Sequence, residues 1–401
     1  MRRLPTLLAL LCIIAFPARS APTLLAVDED TGAVLYQQDA TQPRHPASLT
    51  KMMTVYVAFA AIRAGQADFD QRVTVSPGAA AEGGSVLGLK AGTTLTLRDA
   101  LLAVVVRSAN DAAVAVAEHL AGSEEAFALR MTETARRLGM SATTFRNATG
   151  LTVEGHVTTA RDIALLGLAL RRDFPDLYPL FSRRAMAWRG GSLPSVNAFL
   201  AQPGAEGLKT GFTCPAGYNL VAAARRNGRA VLAVVMGAPS RDERLRLAAD
   251  LVNRAVAGKL SPSGSLAALT VAAGLPPDYT AIACPGGRSG GGPAVIEAVM
   301  PSGWAIDLGL AATPAQAAAK ARAVQAKRPA LRRGTVVTLA KAAGGVVRWR
   351  ALVAGLDQQA AVPTCLAIRT EADTACLVLS PAMAAGAADE ARRLKRASAR
   401  D

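Results

Sequence analysis

Residues 46–54 read PASLTKMMT and open a long helical run that extends from Ser48 to about Ala64. Pro46 restricts the residue before it to an extended conformation. Ser48 and Lys51 are three residues apart, so on a helix their side chains lie on the same face. The free N–H groups and the dipole at a helix N-terminus favour a developing anion there. The stretch therefore predicts a nucleophilic serine at the start of a helix, with an amine beside it.

A serine hydroxyl becomes a nucleophile only when a base takes its proton. No histidine of the chain has an evident triad context; the three are His45, His119 and His156. An amine desolvated by an apolar helix can serve as a neutral base, and this is the role that the spacing suggests for Lys51. Taken alone, the pair also fits an N-cap serine followed by a surface lysine.

Two further tripeptides bear on that choice. Ser108-Ala109-Asn110 lies between two helical runs, where the plainer interpretation is a loop serine with an N-capping asparagine. Lys209-Thr210-Gly211 lies on a strand, where the plainer interpretation is an exposed edge bearing a lysine. A glycine at this point lets a substrate backbone approach the strand closely. All three elements in this order favour a catalytic site over three unrelated features.

Residues 21–256 are predicted to form one α+β unit. Strand-like runs open and close it, with helical runs between them; they are Leu24–Asp28, Ala33–Gln37, Leu208–Thr213, Asn219–Ala224 and Ala230–Gly237. Asn227-Gly228 is a strong hairpin signal between the last two. A helix is predicted from Arg241 to Val256. Strands at both ends with helices between them predict one antiparallel sheet covered by helices.

Five strings of this unit resemble the low-molecular-weight D-alanyl-D-alanine carboxypeptidases, whose signature includes Ser-x-x-Lys and a later Lys-Thr-Gly. They are PASLTKMMT at 46–54, SANDAA at 108–113, NATGL at 147–151, TTARD at 158–162 and GLKTGFT at 207–213. The resemblance covers about residues 22–256. It implies a β-lactamase/DD-peptidase-like fold, in agreement with the strand–helix–strand order.

The resemblance also implies a catalytic sequence. Ser48 would attack the carbonyl of the penultimate D-alanine of a peptidoglycan stem peptide and form an acyl-enzyme, while Lys51 accepts its proton. Ser108 and Lys209 would relay a proton to the leaving D-alanine. β-Lactam antibiotics would be covalent inhibitors of the same serine.

Substrate binding is implied for the remaining motif residues. Asn110 would hold the substrate amide, and Lys209 and Thr210 would bind the terminal carboxylate beside Gly211. The N–H groups of the nucleophilic serine and of Phe212 would form the oxyanion hole, whose donors typically contribute roughly 3–4 kcal/mol each in the transition state.

Three other functions use related motifs. A class A β-lactamase would need Ser-Asp-Asn at the second motif and a deacylating glutamate. Here the second motif is Ser108-Ala109-Asn110, and no convincing glutamate loop lies between it and Lys209. A DD-endopeptidase acting on cross-links would use the same site. A catalytically inert wall-binding protein is disfavoured because all three motifs are intact.

The chain changes character after residue 256. Gly, Pro and Ser crowd residues 257–302, which are predicted to form a mobile linker. Residues 303–380 are predicted to fold in the order β-α-β-β-α-β, a small split sheet with both helices on one face and the other face free. Residues 381–401 are predicted to be a basic tail.

The 303–380 unit resembles a sporulation-related repeat (SPOR) domain through WAIDLG at 304–309 and RWRALVAG at 348–355. That resemblance implies binding to glycan strands stripped of stem peptides. Cys365 and Cys376 fall where some members carry paired cysteines, and they are close enough in sequence to pair. An alanine-rich helical tail is the alternative.

Four side chains are candidates for glycan contact on the free sheet face. Trp304 and Trp349 would supply apolar area for sugar rings, or belong to the core. Arg348 and Arg350 would point to the opposite side of the strand from Trp349 and hydrogen-bond hydroxyls or carboxylates.

The N-terminal residues 1–20 combine a basic start, an apolar stretch and small residues before Ala21. This arrangement predicts a cleaved secretory signal peptide and hence a periplasmic protein. The formal charge is +15, or +12 without the three arginines of that segment. Such a charge favours anionic partners, but export and an aromatic content of 4% argue against nucleic acid. No C-x-x-C or H-E-x-x-H spacing occurs, so neither a metal nor another cofactor is expected.

Overall fold

A computed structural model describes residues 21–284, 301–311, 314–343, 346–371 and 376–398. The chain divides into two compact units, residues 1–288 and 289–401. We call their described parts the N-terminal unit and the C-terminal unit. The predicted signal peptide lies outside the described residues. Within the part that is described, no helix is both long enough and apolar enough to cross a membrane.

The described part of the N-terminal unit contains nine strands and eight α-helices. Its strands are β1 (Thr23–Asp28), β2 (Val34–Gln38), β3 (Arg72–Thr74), β4 (Thr94–Thr96), β5 (Ala185–Trp188), β6 (Gly191–Pro194), β7 (Ala205–Thr213), β8 (Gly217–Arg226) and β9 (Arg229–Ala238). Its helices are α1 (Thr50–Arg63), α2 (Pro77–Ala80), α3 (Leu97–Leu102), α4 (Asn110–Ala121), α5 (Glu124–Arg137), α6 (Ala160–Asp173), α7 (Arg241–Val256) and α8 (Thr280–Ala283).

Five strands form one antiparallel sheet in the order β2-β1-β9-β8-β7. The first strand of the unit, β1, pairs with its last strand, β9, near the middle of the sheet. Apolar side chains project from both faces of β8 and β9. Leu220 and Val235 pack with α7, whereas Val221 and Val234 pack with the large helical core on the other face. The predicted α+β fold, an antiparallel sheet covered by helices, is confirmed.

The β8–β9 hairpin turns at Asn227-Gly228, as the sequence predicts. Both residues are left-handed, with φ of 53° and 71°. Two successive left-handed residues form the turn whose twist matches that of paired strands.

Helix α1 is buried on nearly every side, unlike an amphipathic surface helix. Eleven of its fourteen residues are buried. Met52, Met53 and Phe59 are among the largest side chains that the unit buries fully. Helices α4, α5 and α6 all contact it. A lysine in the first turn of such a helix must therefore lie inside the protein.

Residues 257–284 are not the mobile linker that their composition predicts. Leu266 enters the main core with 3% exposure. Cys284 forms a disulfide with Cys214, the residue after β7, across a Cα–Cα distance of 5.7 Å. The prediction was wrong for this segment because composition counts Gly, Pro and Ser and overlooks a few anchors among them. Residues 285–300 of the predicted linker lie outside the described residues.

The strands of the C-terminal unit are β10 (Trp304–Ala311), β11 (Thr335–Ala343), β12 (Val346–Leu356) and β13 (Leu377–Leu379), and its helices are α9 (Pro314–Ala326), α10 (Gln358–Glu371) and α11 (Pro381–Ser398). The strands form one antiparallel sheet in the order β11-β12-β10-β13. The order β-α-β-β-α-β is the predicted one. Helices α9 and α10 pack together on one face of the sheet. Cys365 of α10 and Cys376 form a disulfide.

The second face of this sheet is covered, contrary to the prediction. Helix α11 lies where a basic tail was expected, and Ala384, Ala387 and Ala388 pack against the face that holds Val337 and Leu352. The prediction was wrong because it counted large apolar residues and passed over a stripe of alanines at helical spacing. An aliphatic sheet face gains free energy from being covered, and small side chains are sufficient for a close approach.

Three of the four side chains predicted to contact glycan, those of Trp304, Trp349 and Arg350, have partners within the C-terminal unit. Trp304 and Trp349 are half-buried against the core beneath α9 and α10. Arg350 points to the α11 side, where it forms ion pairs with Asp307 at 3.0 Å and Glu390 at 3.6 Å. These side chains are explained by the packing of the unit itself.

Candidate active site

Ser48 lies in a 3-10 turn, Ala47–Leu49, that leads into α1. Ala47 has a φ of 48°, a left-handed conformation that residues other than glycine seldom adopt. Two glycines leave room around this turn. A Cβ on Gly150 would lie 1.8 Å from the Ala47 carbonyl oxygen, and a Cβ on Gly211 would lie 3.1 Å from the Ser48 nitrogen. The NATGL and GLKTGFT strings therefore meet at the predicted nucleophile, and glycine is what permits the approach.

The Nζ atom of Lys51 is fully buried and faces three oxygens. It lies 3.0 Å from Ser48 Oγ, 2.6 Å from Asn110 Oδ1 and 2.6 Å from the Thr149 carbonyl oxygen. As an ammonium, Lys51 can donate to all three. As a neutral amine it has two N–H bonds, enough for the amide and the carbonyl, and its lone pair can accept the Ser48 proton. One geometry thus fits both protonation states that a general base must pass through.

The basicity of Lys51 follows from its burial. Desolvation lowers the pKa of Lys51 to about 7, against the opposing influence of the carboxylates of Glu82, Glu124 and Asp111. A substantial share of Lys51 is therefore neutral at physiological pH.

A second serine–lysine pair lies next to the first. Ser108 follows the π-helical turn Ala103–Arg107 with a left-handed φ of 58°. Lys209 Nζ donates to Ser108 Oγ at 2.9 Å and to the Thr210 carbonyl oxygen at 2.9 Å. Desolvation lowers the pKa of Lys209 well below its usual range, and the nearby charge of Lys51 acts in the same direction. Both amines are therefore suited to exchanging protons.

Asn110 connects the first lysine to the loop above it. Its Oδ1 accepts from Lys51, and its Nδ2 donates to the Gly83 carbonyl oxygen at 2.6 Å. The carboxylate of Asp111 accepts from successive backbone N–H groups of the same loop, those of Leu87, Gly88 and Leu89. Asn110 and Asp111 thus hold this loop beside Lys51.

Strand β7 brings the third motif to the sheet edge. Within the described residues no strand pairs with its outer side. Thr210 is buried, while Phe212 is 40% exposed with its ring stacked on Tyr218 at 4.2 Å. Unpaired N–H and C=O groups on an edge strand can bind an extended peptide as an additional strand. The eight predicted residues Ser48, Lys51, Ser108, Asn110, Lys209, Thr210, Gly211 and Phe212 thus surround one site.

Two buried side chains of this region carry no motif signal. Arg244 of α7 donates to the Asn219 carbonyl oxygen at 3.3 Å, and burial lowers its pKa to about 10. His156 Nε2 is 3.0 Å from Thr50 Oγ1, and burial lowers the pKa of that histidine to about 3, so it is neutral. Folding alone brings these side chains to the site, so no spacing in a single sequence would reveal them.

The sequence profile of the D-alanyl-D-alanine carboxypeptidase family, peptidase S11, matches residues 13–240. The chain is 35% identical over 232 residues to D-alanyl-D-alanine carboxypeptidase DacF of Bacillus subtilis, covering 57% of this chain and 60% of that protein. It is 37% identical over 242 residues to DacC of Escherichia coli, covering 58% and 60%. The chain therefore spans about three fifths of the length of these curated relatives.

Solved structures show the same similarity. D-alanyl-D-alanine carboxypeptidase DacD from Francisella tularensis superposes with a TM-score of 0.58 at 30% identity, over 62% of this chain and 74% of that one. Penicillin-binding protein D2 from Listeria monocytogenes, in its ampicillin-bound form, superposes with a TM-score of 0.53 at 31% identity, over 58% and 95%.

Proposed function

We propose, from the premise that this chain belongs to the D-alanyl-D-alanine carboxypeptidase family, that it removes the terminal D-alanine from peptidoglycan stem pentapeptides through an acyl-enzyme on Ser48. The observation that carries the proposal is the fully buried Lys51 with its Nζ 3.0 Å from Ser48 Oγ. The decisive experiment is mass spectrometry of a purified pentapeptide incubated with the protein. Loss of one alanine supports the proposal, and an unchanged peptide contradicts it.

In the acylation step the Ser48 proton passes to neutral Lys51 as Oγ bonds to the carbonyl carbon of the penultimate D-alanine. The carbonyl oxygen becomes negative and is met by the N–H groups of Ser48 and Phe212. The C–N bond then breaks, and the proton that Lys51 accepted passes through Ser108, whose hydroxyl Lys209 holds at 2.9 Å, to the departing nitrogen. Water later attacks the ester, giving its hydroxyl to the carbonyl carbon and its proton to Ser48 Oγ, and the shortened peptide is released.

The terminal carboxylate of the substrate is matched by charge. Lys209 and Thr210 lie on β7, and the charge of Arg244 lowers the pKa of Lys209. A substrate carboxylate bound here would oppose that effect and offset the desolvation of Lys209 and Arg244. It would therefore raise the affinity for peptides that end in a free carboxylate. This favours carboxypeptidase action on a chain end.

The acylation rate is expected to rise with pH and to reach half its maximum near pH 7. Only the neutral form of Lys51 can take the Ser48 proton, and that form predominates above its pKa of about 7. The measurement is the second-order rate of labelling by a fluorescent penicillin between about pH 5.5 and pH 8.5. A rate that stays flat over this range would show that Lys51 is not the titrating base.

A serine β-lactamase would use the same nucleophile but deacylate quickly. Glu124 is one of the carboxylates that act on Lys51, and its Oε1 accepts from the Ala148 N–H at 2.8 Å, a structural role. We therefore expect penicillin to acylate Ser48 and the resulting ester to be hydrolysed slowly. Rapid turnover of penicillin would favour the β-lactamase.

Endopeptidase action on cross-links is a second candidate, since it needs the same residues. The chain is 31% identical over 235 residues to the D-alanyl-D-alanine endopeptidase of Escherichia coli, covering 55% of this chain and 73% of that protein. A cross-linked muropeptide dimer incubated in parallel with the pentapeptide distinguishes the two activities. An inert wall-binding protein would act on neither.

The C-terminal unit is proposed to bind peptidoglycan glycan, as the SPOR resemblance implies. From residue 301 onward the chain has 15 Lys and Arg against 7 Asp and Glu, a net charge of +8. This charge favours an anionic polymer. Because α11 covers the sheet face, the proposal depends on the resemblance and on this charge, and not on a free sheet surface.

Truncation after about residue 300 is expected to leave turnover of soluble pentapeptide unchanged and to reduce activity on intact sacculi. The shortened protein keeps Cys284 and its disulfide with Cys214. A tether raises the local concentration of the catalytic unit at the wall, whereas soluble substrate needs no tether. Equal activity of both proteins on sacculi would remove the glycan-binding claim.

We further propose that the protein is exported to the periplasm. Support comes from the signal-like residues 1–20 and from two disulfides, Cys214–Cys284 and Cys365–Cys376. Disulfides persist in oxidising compartments. Fractionation of cells that express the full chain would test this.

A further inference from the structure

The pairing of β8 with β9 loses its register between Tyr218 and Leu220, and Asn219 lies in that break. Gly237, on β9, is left-handed with a φ of 76°. Its N–H donates to the side-chain Oδ1 of Asn219 at 2.8 Å. β-Bulges beside active sites commonly redirect a side chain. Here the redirected side chain is a fully buried amide.

The other end of this amide reaches the approach to the nucleophile. Asn219 Nδ2 donates to the carbonyl oxygens of His45 at 3.0 Å and Pro46 at 3.1 Å. The orientation of the amide follows from its partners, since an N–H faces its oxygen and two carbonyls face its nitrogen. Both N–H bonds and one lone pair of the side chain are therefore used.

These two carbonyls directly precede Ala47, whose left-handed conformation aims Ser48 into the site. A non-glycine residue keeps such a conformation only when its surroundings hold it. The backbone of Asn219 also pairs with Gly211, the residue of β7 that approaches the Ser48 nitrogen. One residue thus contacts both the turn and the strand that meet at the nucleophile.

We propose that Asn219 is a positioning residue that holds Ser48 Oγ and the Ser48 N–H in the geometry required for acyl transfer. The inference rests on the proposed role of Ser48 as nucleophile. It predicts that Asn219 affects the chemical step and not the initial binding of substrate, because Asn219 contacts the backbone before Ser48 and is itself inaccessible.

Asn219→Asp is the informative change. Aspartate has the same size and still accepts from Gly237, but its second oxygen faces two carbonyl oxygens. As a carboxylate it donates to neither of them, and as a carboxylic acid it donates to one at most. We expect the first-order acylation constant to fall roughly 30–100-fold, since small displacements of reacting groups cost about this much. The dissociation constant of the preceding non-covalent complex should change less than about 3-fold. Stopped-flow labelling over a range of fluorescent penicillin concentrations gives both values.

Asn197→Asp is the matched control, because Asn197 is also buried and its side chain accepts from the Phe199 N–H at 3.2 Å. It should lower the melting temperature while the labelled molecules keep the wild-type acylation constant. Asn219→Asp acylating at the wild-type rate, or no more slowly than Asn197→Asp, would overturn the inference. If Asn219→Asp does not fold, Asn219→Ala decides on the same criterion, with a loss of roughly 10-fold expected. Absence of labelling in the wild-type protein would instead contradict the proposed function.

Discussion

Replacing Ser48 with alanine is expected to abolish covalent labelling by fluorescent penicillin and release of D-alanine together. Ser48 Oγ lies 3.0 Å from the amine of Lys51, in the turn that leads into α1. Loss of a nucleophile in serine hydrolases lowers turnover by on the order of 10⁶-fold. The measurements are gel fluorescence after labelling and mass spectrometry of the pentapeptide.

Ser123→Ala is the matched control for this change. Ser123 also begins a helix, and its hydroxyl accepts from the Ala126 N–H at 3.1 Å, but the residue three positions on is not a lysine. The control should lose roughly 1 kcal/mol of folding free energy and keep full labelling. Labelling of Ser48→Ala at the wild-type level would show that a different serine is the nucleophile.

Replacing Lys51 with arginine should be nearly as damaging, although the positive charge is kept. Arginine stays protonated in proteins and cannot take the Ser48 proton. Among the described residues, the fully buried Lys51 Nζ donates to three oxygens, whereas a guanidinium carries five N–H donors. We expect the acylation rate to fall by about 10³-fold or more, the range attributed to general bases.

Lys51→Met separates the two roles that the lysine can have. If Lys51 acts as a base, both variants fail to a similar extent. If it acts only by its charge, arginine retains acylation and methionine does not. Melting curves of both proteins show whether each is folded, and a near-normal acylation rate for Lys51→Arg at neutral pH would refute the base mechanism.

Much of the site was predictable because its signals are local. A spacing of three residues places Ser48 and Lys51 on one helix face whatever the rest of the protein does. Asn227-Gly228 turns the β8–β9 hairpin because both residues accept left-handed conformations. The α+β class and the C-terminal strand and helix order likewise follow from runs of apolar residues along the chain.

Composition failed where a few residues outweigh the average. The segment 257–284 is rich in Gly, Pro and Ser, yet Leu266 and the Cys214–Cys284 disulfide bind it to the N-terminal unit. Helix α11 has a mostly small and charged sequence, yet its alanines cover a sheet face. Whether a residue is buried depends on which other residues pack against it in the folded protein, and a single sequence does not specify them.

Motif spacing was sufficient to select Lys51 as the candidate base, but its basicity is a property of the folded protein. Its pKa falls because α1 is enclosed by other helices, and desolvation acts only once they pack. Asn219 shows the same dependence more strongly. It reaches Pro46 across 173 residues of sequence. Only the assembled sheet brings β8 against the turn before Ser48, because hydrogen bonds act over a few ångströms in space and not along the chain.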